Sequence, residues 1–140
     1  THDIAYHGEG GEDTLTGGRK RDQLFGGDSN DLIFGGGGDD LIDGGKGSNL
    51  VNGGAGNDRF RAVQSGELKI QDFDANGNDR IELLSSLLSS GGVVDSFTAD
   101  DADQDGSTDD LAATLSGGIS IQLLDMAFED LDDDDFIGIN

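Results

Sequence analysis

Between residues 8 and 61 the apolar side chains fall every nine positions: Leu15, Leu24, Ile33, Ile42, Val51 and Phe60. Polar residues and glycines fill most of the space between them, a period that is neither the 3.6 of an amphipathic helix nor the simple alternation of a long strand. Written in that frame the segment is six copies of one unit: GEGGEDTLT, GGRKRDQLF, GGDSNDLIF, GGGGDDLID, GGKGSNLVN and GGAGNDRFR. Each copy opens on glycine (Gly8, Gly17, Gly26, Gly35, Gly44, Gly53) and ends in three residues with strand character. Glycines permit a tight turn, and the following three residues form a short strand whose middle side chain points inward. One such unit cannot bury its apolar residue alone. Two units make a coil, stacked coils bury a ladder of side chains between two narrow parallel sheets, and six units predict about three coils.

From Ala62 onward the ninefold frame stops and ordinary patterning begins. Strands are predicted at 68–73, 80–83, 93–97, 111–115, 119–124 and 136–139, with a short helix over LLSSLLSS (83–90) halted by Gly91 and Gly92. The reading is one domain, 1–140, with a repeat coil at 8–61 and a β-rich cap at 62–140. Outward positions carry Leu32, Phe34 and Leu50 on one sheet and Phe25 and Leu41 on the other, a stripe that calls for a cover. Leu83, Leu84, Leu87 and Leu88 of the short helix are the expected cover.

Charge changes the picture at the sixth position of each unit, which reads Asp13, Asp22, Asp31, Asp40, Asn49 and Asp58. Side chains eighteen residues apart stack one above another in such a coil, and stacked carboxylates repel unless a cation lies between them. The whole chain has 30 acidic and 8 basic residues, for a net charge of −22. That balance makes nucleic acid a poor partner. Hard oxygen donors without histidine or cysteine select Ca²⁺ over zinc, copper or magnesium. No cysteine is present to staple the fold, and no stretch approaches the apolar length of a membrane span.

These units resemble the RTX nonapeptide, GGxGxDxUx, a calcium-binding parallel β-helix repeat. The units beginning at Gly35 and Gly53 match the motif in full. The resemblance implies an all-β fold, a right-handed parallel β-roll capped by a mostly antiparallel β segment. It also implies ions between consecutive coils, each held by two sixth-position side chains and by main-chain carbonyls. One ion would join Asp13 and Asp31 with carbonyls of Glu9, Gly11, Gly26 and Asp28. A second would join Asp22 and Asp40 through Gly18, Lys20, Gly35 and Gly37, and a third Asp40 and Asp58 through Gly36, Gly38, Gly53 and Ala55. The fourth would pair Asp31 with Asn49 through Gly27, Ser29, Gly44 and Lys46, with one formal charge fewer. Lys20 and Ser29 stand where the motif has glycine, so a positive φ there would be strained.

Two further segments have the form of a calcium loop: Asp101, Asp103 and Asp105 before Gly106, and, more weakly, Asp72, Asp74 and Asn76 before Gly77. The first is not an EF-hand, because Ala112 stands where a bidentate glutamate is needed. His2 and His7 lack partners for a metal or a catalytic triad, and no enzyme constellation emerges. The run Arg19, Lys20, Arg21, with Arg59 and Arg61, is the one possible basic strip for an anionic polysaccharide.

The segment IQDFDANGNDRIEL and the ending DLDDDDFIGIN are similar to the C-terminal modules that follow RTX repeats in exported bacterial proteins. That resemblance implies a secreted, extracellular protein that uses a type I secretion apparatus, its acidic-then-apolar tail acting as the export signal. It is similar also to repeat modules attached to alginate-modifying enzymes, which implies the alternative of a glycan-binding accessory.

Overall fold

A computed structural model describes residues 3–74, 77–84, 97–100, 110–126 and 130–139. Two sheets face each other across one core. The first contains, in spatial order, β1 (Ala5–His7), β3 (Gln23–Phe25), β5 (Leu41–Asp43), β7 (Arg59–Arg61), β9 (Arg80–Leu84) and β13 (Phe136–Ile139). The second runs from β2 (Thr14–Thr16) through β4 (Leu32–Gly37), β6 (Ser48–Ala55), β8 (Gly66–Ile70) and β12 (Ile119–Leu123) to β11 (Asp110–Leu115) and β10 (Thr98–Asp100). The chain alternates between the sheets along the repeats, so each pair of units closes one turn of a parallel solenoid. All neighbours in the first sheet are parallel; in the second only β10–β11 and β11–β12 are antiparallel.

Register within the repeats is eighteen residues: Leu24 pairs with Ile42, Ile42 with Phe60, and Ile33 with Val51. These eighth-position side chains fill the core, with Leu24, Ile33, Ile42, Val51 and Phe60 completely buried. Leu15, in the first coil, is only partly covered, and Tyr6 at the same end is 39% exposed.

The solenoid is longer than the repeats. It has about four turns instead of three, because β1 precedes the first unit and β8 and β9 continue both ladders beyond the last. The in-phase spacing is lost there, since Ser48 meets Glu67 nineteen residues on and Asp58 meets Asp79 twenty-one residues on. Inward alternation survives in Leu68, Ile70, Ile81 and Leu83, all buried, and that is sufficient to hold the pairing. The cap therefore extends both sheets: β12 lies parallel to β8 and β13 parallel to β9, while antiparallel pairing is confined to the β10–β11–β12 meander.

Leu83 and Leu84, expected to open a helix, belong to β9, where Leu83 is buried and Leu84 is 36% exposed. The rest of the expected helix, and the expected strand before Phe97, lie outside the described residues. Among the described residues there is no α-helix and no helix able to cross a membrane. Leu32, Phe34, Leu50, Phe25 and Leu41 are each half-buried.

Truncating Ile42, central in the first sheet, should cost about 2–5 kcal/mol, whereas Leu15→Ala at the open end should cost about 1 kcal/mol or less. Urea unfolding of both variants in calcium-containing buffer checks this. Equal losses would mean that the two ends of the core are equally packed.

A column of candidate cation sites

The turns that join the strands bring the sixth-position side chains into two columns. In each, one carboxylate oxygen accepts the main-chain N–H of the sixth-position residue one coil below. Asp31 Oδ1 accepts from Asp13 at 2.9 Å, Asp40 Oδ1 from Asp22 at 2.8 Å, Asn49 Oδ1 from Asp31 at 2.8 Å and Asp58 Oδ1 from Asp40 at 2.9 Å. Asp22 Oδ1 likewise accepts from Ile4, the residue that occupies this row beneath it.

The second oxygens have a different fate. Asp13, Asp31, Asp40 and Asp58 each keep Oδ2 buried without any hydrogen-bond partner. Leaving a buried acceptor unmet costs on the order of 1–3 kcal/mol, and more when it is charged. Each of these oxygens lies against the first glycine of its own unit, where a Cβ would collide with it. At Gly8, Gly26 and Gly35 that same Cβ would also meet the first-position carbonyl of the coil above, on Gly26, Gly44 and Gly53 respectively. Carboxylate and carbonyl oxygens thus line one cleft, kept open by the absence of a side chain. This donor set suits a hard divalent cation, and the first-position glycines are what make room for it. Among the described residues no three acidic, histidine or cysteine side chains converge, so any ion here depends on main-chain oxygens.

Burial is the main reason that the Asp58 carboxyl is pushed up to about 7 and that of Asp40 to about 6. Main-chain hydrogen bonds pull both back, and neighbouring carboxylates push them up again: Asp79, Asp40 and Asp72 act on Asp58, and Asp22 and Asp39 on Asp40. Asp31 and Asp79 are raised for the same leading reason.

The clefts differ. Ser29 adopts the left-handed backbone (φ 85°) that the motif normally assigns to glycine, and Glu9 does the same (φ 74°). Gly18 and Lys20 do not have positive φ, so the second unit turns differently. There the Gly18 N–H donates to Asp22 Oδ2 at 2.6 Å and occupies the oxygen left free in the other units. Second-position carbonyls of Glu9, Gly18 and Gly27 each accept the third-position N–H of the coil above, from Asp28, Gly37 and Lys46, which leaves one lone pair apiece. Asn49 resolves its own cleft, since its Nδ2 donates to the Lys46 carbonyl at 3.3 Å. Above it the row is taken by Leu68, which offers no side-chain donor or acceptor.

Three features escaped the sequence. Asp79 continues the column above Asp58, its Oδ1 accepting the Asp58 N–H at 2.8 Å. The signal was present, for DANGNDRIE (74–82) shares G-N-D-R with GGAGNDRFR (53–61), but the three-residue slip hid it. A second ladder runs the other way at the fifth position, where Asn30 and Asp39 side chains accept the N–H of Ser48 and Asn57 in the coil above. The basic residues are also largely committed: Arg59 and Arg61 pair with buried Glu82 at 3.3 and 2.9 Å, Arg80 with Asp135, Arg21 with Asp3, Lys46 with Asp28 and Lys69 with Glu67.

Of the two loop candidates, Asp101, Asp103 and Asp105 lie outside the described residues, as does Asn76. Asp72 uses both oxygens to accept the N–H groups of Gly53 and Gly54 at the end of β6 in the coil below, and Asp74 Oδ1 accepts that of Gly77 within its own turn. His7 stacks on Phe25, with ring centroids 4.8 Å apart. His2 also lies outside the described residues.

Residues 7–42 and 35–62 match the RTX calcium-binding nonapeptide repeat family, described as four copies. No curated protein sequence matches the chain. Among solved structures it is similar to the solution structure of the AlgE6R3 subunit from the Azotobacter vinelandii mannuronan C5-epimerase, with a TM-score of 0.66 and 26% identity. The match covers 96% of this chain and 78% of that one.

The raised carboxyls fix the sign of a pH effect. Their folded-state values, about 6 for Asp40 and about 7 for Asp58, exceed the ordinary 3.8, so the calcium-free fold binds protons more tightly than the unfolded chain. Its stability should be greatest near pH 4 and decline as pH rises through 6 and 7. With calcium the direction should reverse, because protons compete for the same oxygens and apparent affinity falls below about pH 7. The β-structure retained in EGTA at pH 5 and pH 7.5, read by circular dichroism, and thermal melts in calcium at the same two pH values test the reversal. The same trend in both series would contradict it.

Proposed function

We propose, from the match of residues 7–62 to the RTX calcium-binding nonapeptide repeat, that the chain is a calcium-dependent folding module of a secreted bacterial protein. It stays extended at low calcium and folds outside the cell. Ions would lie at Asp13–Asp31, Asp22–Asp40, Asp40–Asp58 and Asp31–Asn49, with the flanking carbonyls completing each. The observation that carries this reading is the set of buried, unpartnered oxygens on Asp13, Asp31, Asp40 and Asp58 in a chain of net charge −22. Three of these belong to the lower residue of a proposed pair. Without a cation the coil concentrates like charge in a low-dielectric interior and repels itself open. Four coil ions would add about +8 and remove most of that penalty where it is largest. The Asp22–Asp40 position is the least prepared, since the Gly18 N–H must first release Asp22.

A second reading, an accessory that binds an anionic polysaccharide for a carbohydrate-modifying enzyme, is favoured by the similarity to a subunit of a mannuronan epimerase. The ion pairs weigh against it, because Arg59 and Arg61 are held by Glu82. Under the leading reading the activity belongs to whatever the module is attached to; the module holds calcium and performs no chemistry.

The acidic tail fits a type I export signal that is accessible before folding. Once folded, Phe136–Ile139 is strand β13, with Phe136 buried against Phe97.

Far-UV circular dichroism should show a largely disordered chain in EGTA and a β-rich one in excess calcium. A β-rich spectrum in EGTA would refute calcium-coupled folding. A fusion of residues 1–140 to a reporter, in cells with a matching type I exporter, should be secreted, and removal of the last nine residues should abolish export. Export undiminished by the deletion, together with saturable binding of an oligouronate, would favour the polysaccharide reading.

A further inference from the structure

We infer that a further calcium ion binds between Asp58 and Asp79, above the last nonapeptide unit and outside residues 7–62. The inference rests on the calcium-module reading and extends it to residues that lack the repeat's spacing. Asp58 is completely buried; its Oδ1 is turned to the coil below, where it accepts the Asp40 N–H, and its Oδ2 has no partner. That Oδ2 lies against Gly53 as Asp40 Oδ2 lies against Gly35, but the ring of Phe60 comes closer to Gly53 than any carbonyl of the coil above, so this cleft offers its carboxylates without the first-position carbonyl of the lower ones.

The coil above supplies a carboxylate in the right row. Asp79 is 3% exposed and accepts the Asp58 N–H, as Asp58 accepts that of Asp40. Its Oδ2 accepts the Asp74 N–H at 3.0 Å, a charge-assisted bond that fixes the carboxylate and leaves lone pairs on both oxygens. Asp72 closes the near side by accepting the Gly53 and Gly54 N–H groups, so a side chain does what the ninth-position carbonyl of the coil above does for Gly8, Gly17 and Gly26.

No protein cation neutralises the pair among the described residues. The nearest in sequence, Arg80, donates to the Asp79 main-chain carbonyl at 2.6 Å and extends to Asp135 at 3.7 Å. Two buried carboxylates in one stacked row, one with a bare oxygen, present the same problem as the coils below. A hard divalent ion is the same solution. Asp58 would then serve two ions, one with Asp40 beneath it and one with Asp79 above, and the first-sheet column would outlast the second, which ends at the self-satisfied Asn49.

The test counts ions. Chelator-stripped protein titrated with Ca²⁺ in a calorimeter at pH 7.5, and assayed for bound metal after equilibrium dialysis, should hold one ion more than Asp79→Ala, which leaves no side-chain oxygen in this row. The remaining sites of the variant should keep their affinities. Unchanged stoichiometry would overturn the inference while leaving the repeat sites intact. If Asp79→Ala does not fold, anomalous diffraction from calcium-loaded wild-type crystals decides. A peak between Asp58 and Asp79 supports the site, and its absence beside a peak between Asp40 and Asp58 overturns it. Ions missing from every coil would overturn both this site and the calcium-module reading.

Discussion

The fold depends on how it disposes of carboxylate oxygens that it buries between coils. Asp22, Asp31, Asp40 and Asp58 each give one oxygen to the row beneath, and in doing so fix the eighteen-residue register and the vertical spacing of the sheets. On Asp13, Asp31, Asp40 and Asp58 the second oxygen is left inside with nothing to bond, while that of Asp22 takes the Gly18 N–H. Strand pairing and the apolar ladder are too slight to tolerate several uncompensated buried charges, since each coil contributes only two core side chains of ordinary size. The turn, which looks like a connector, therefore governs whether the sheets can exist.

The part of the molecule that was legible in the sequence is the part in which that constraint repeats in phase. Leu24, Ile33, Ile42, Val51 and Phe60 were readable as core because nine-residue spacing and two facing sheets leave one inward position per unit. The columns of Asp13, Asp31 and Asn49 and of Asp22, Asp40 and Asp58 followed from the same spacing. Continuation of the solenoid into β8 and β9 was not readable, because register slips to nineteen and twenty-one residues as loops lengthen, while pairing depends on alternation alone. Asp79 was lost with the phase. Leu83 and Leu84 illustrate a different failure: LLSSLLSS has helical spacing, yet Leu83 completes the inward row of β9. The role of Asn49 was half visible, as a missing charge; that its amide fills its own turn is a matter of geometry that spacing does not encode.

Basic residues show how sparse cations are used when acids outnumber them. Glu82 is 3% exposed on the outer face of the first sheet and is held by Arg59 and Arg61, which flank Phe60 one strand below. These pairs tie the last repeat coil to the first coil that lacks the repeat, at the place where spacing is irregular. Partnered carboxylates there need no ion from solution, so the junction between β7 and β9 is held in part by the chain's own charges.

Because the bonds between repeat coils join residues eighteen apart at both the fifth and sixth positions, length changes in this protein obey a rule of their own. Excising residues 26–43 would remove one full turn and bring Asp13 beneath Asn49 and Asp22 beneath Asp58, with every inward side chain still inward. Excising nine residues would instead send each later strand to the opposite sheet, and the unequal slips above β6 and β7 would then fall on the wrong sides. Drift in repeat number is therefore expected to proceed in pairs of units, and the irregular cap acts as a parity check on what lies below it.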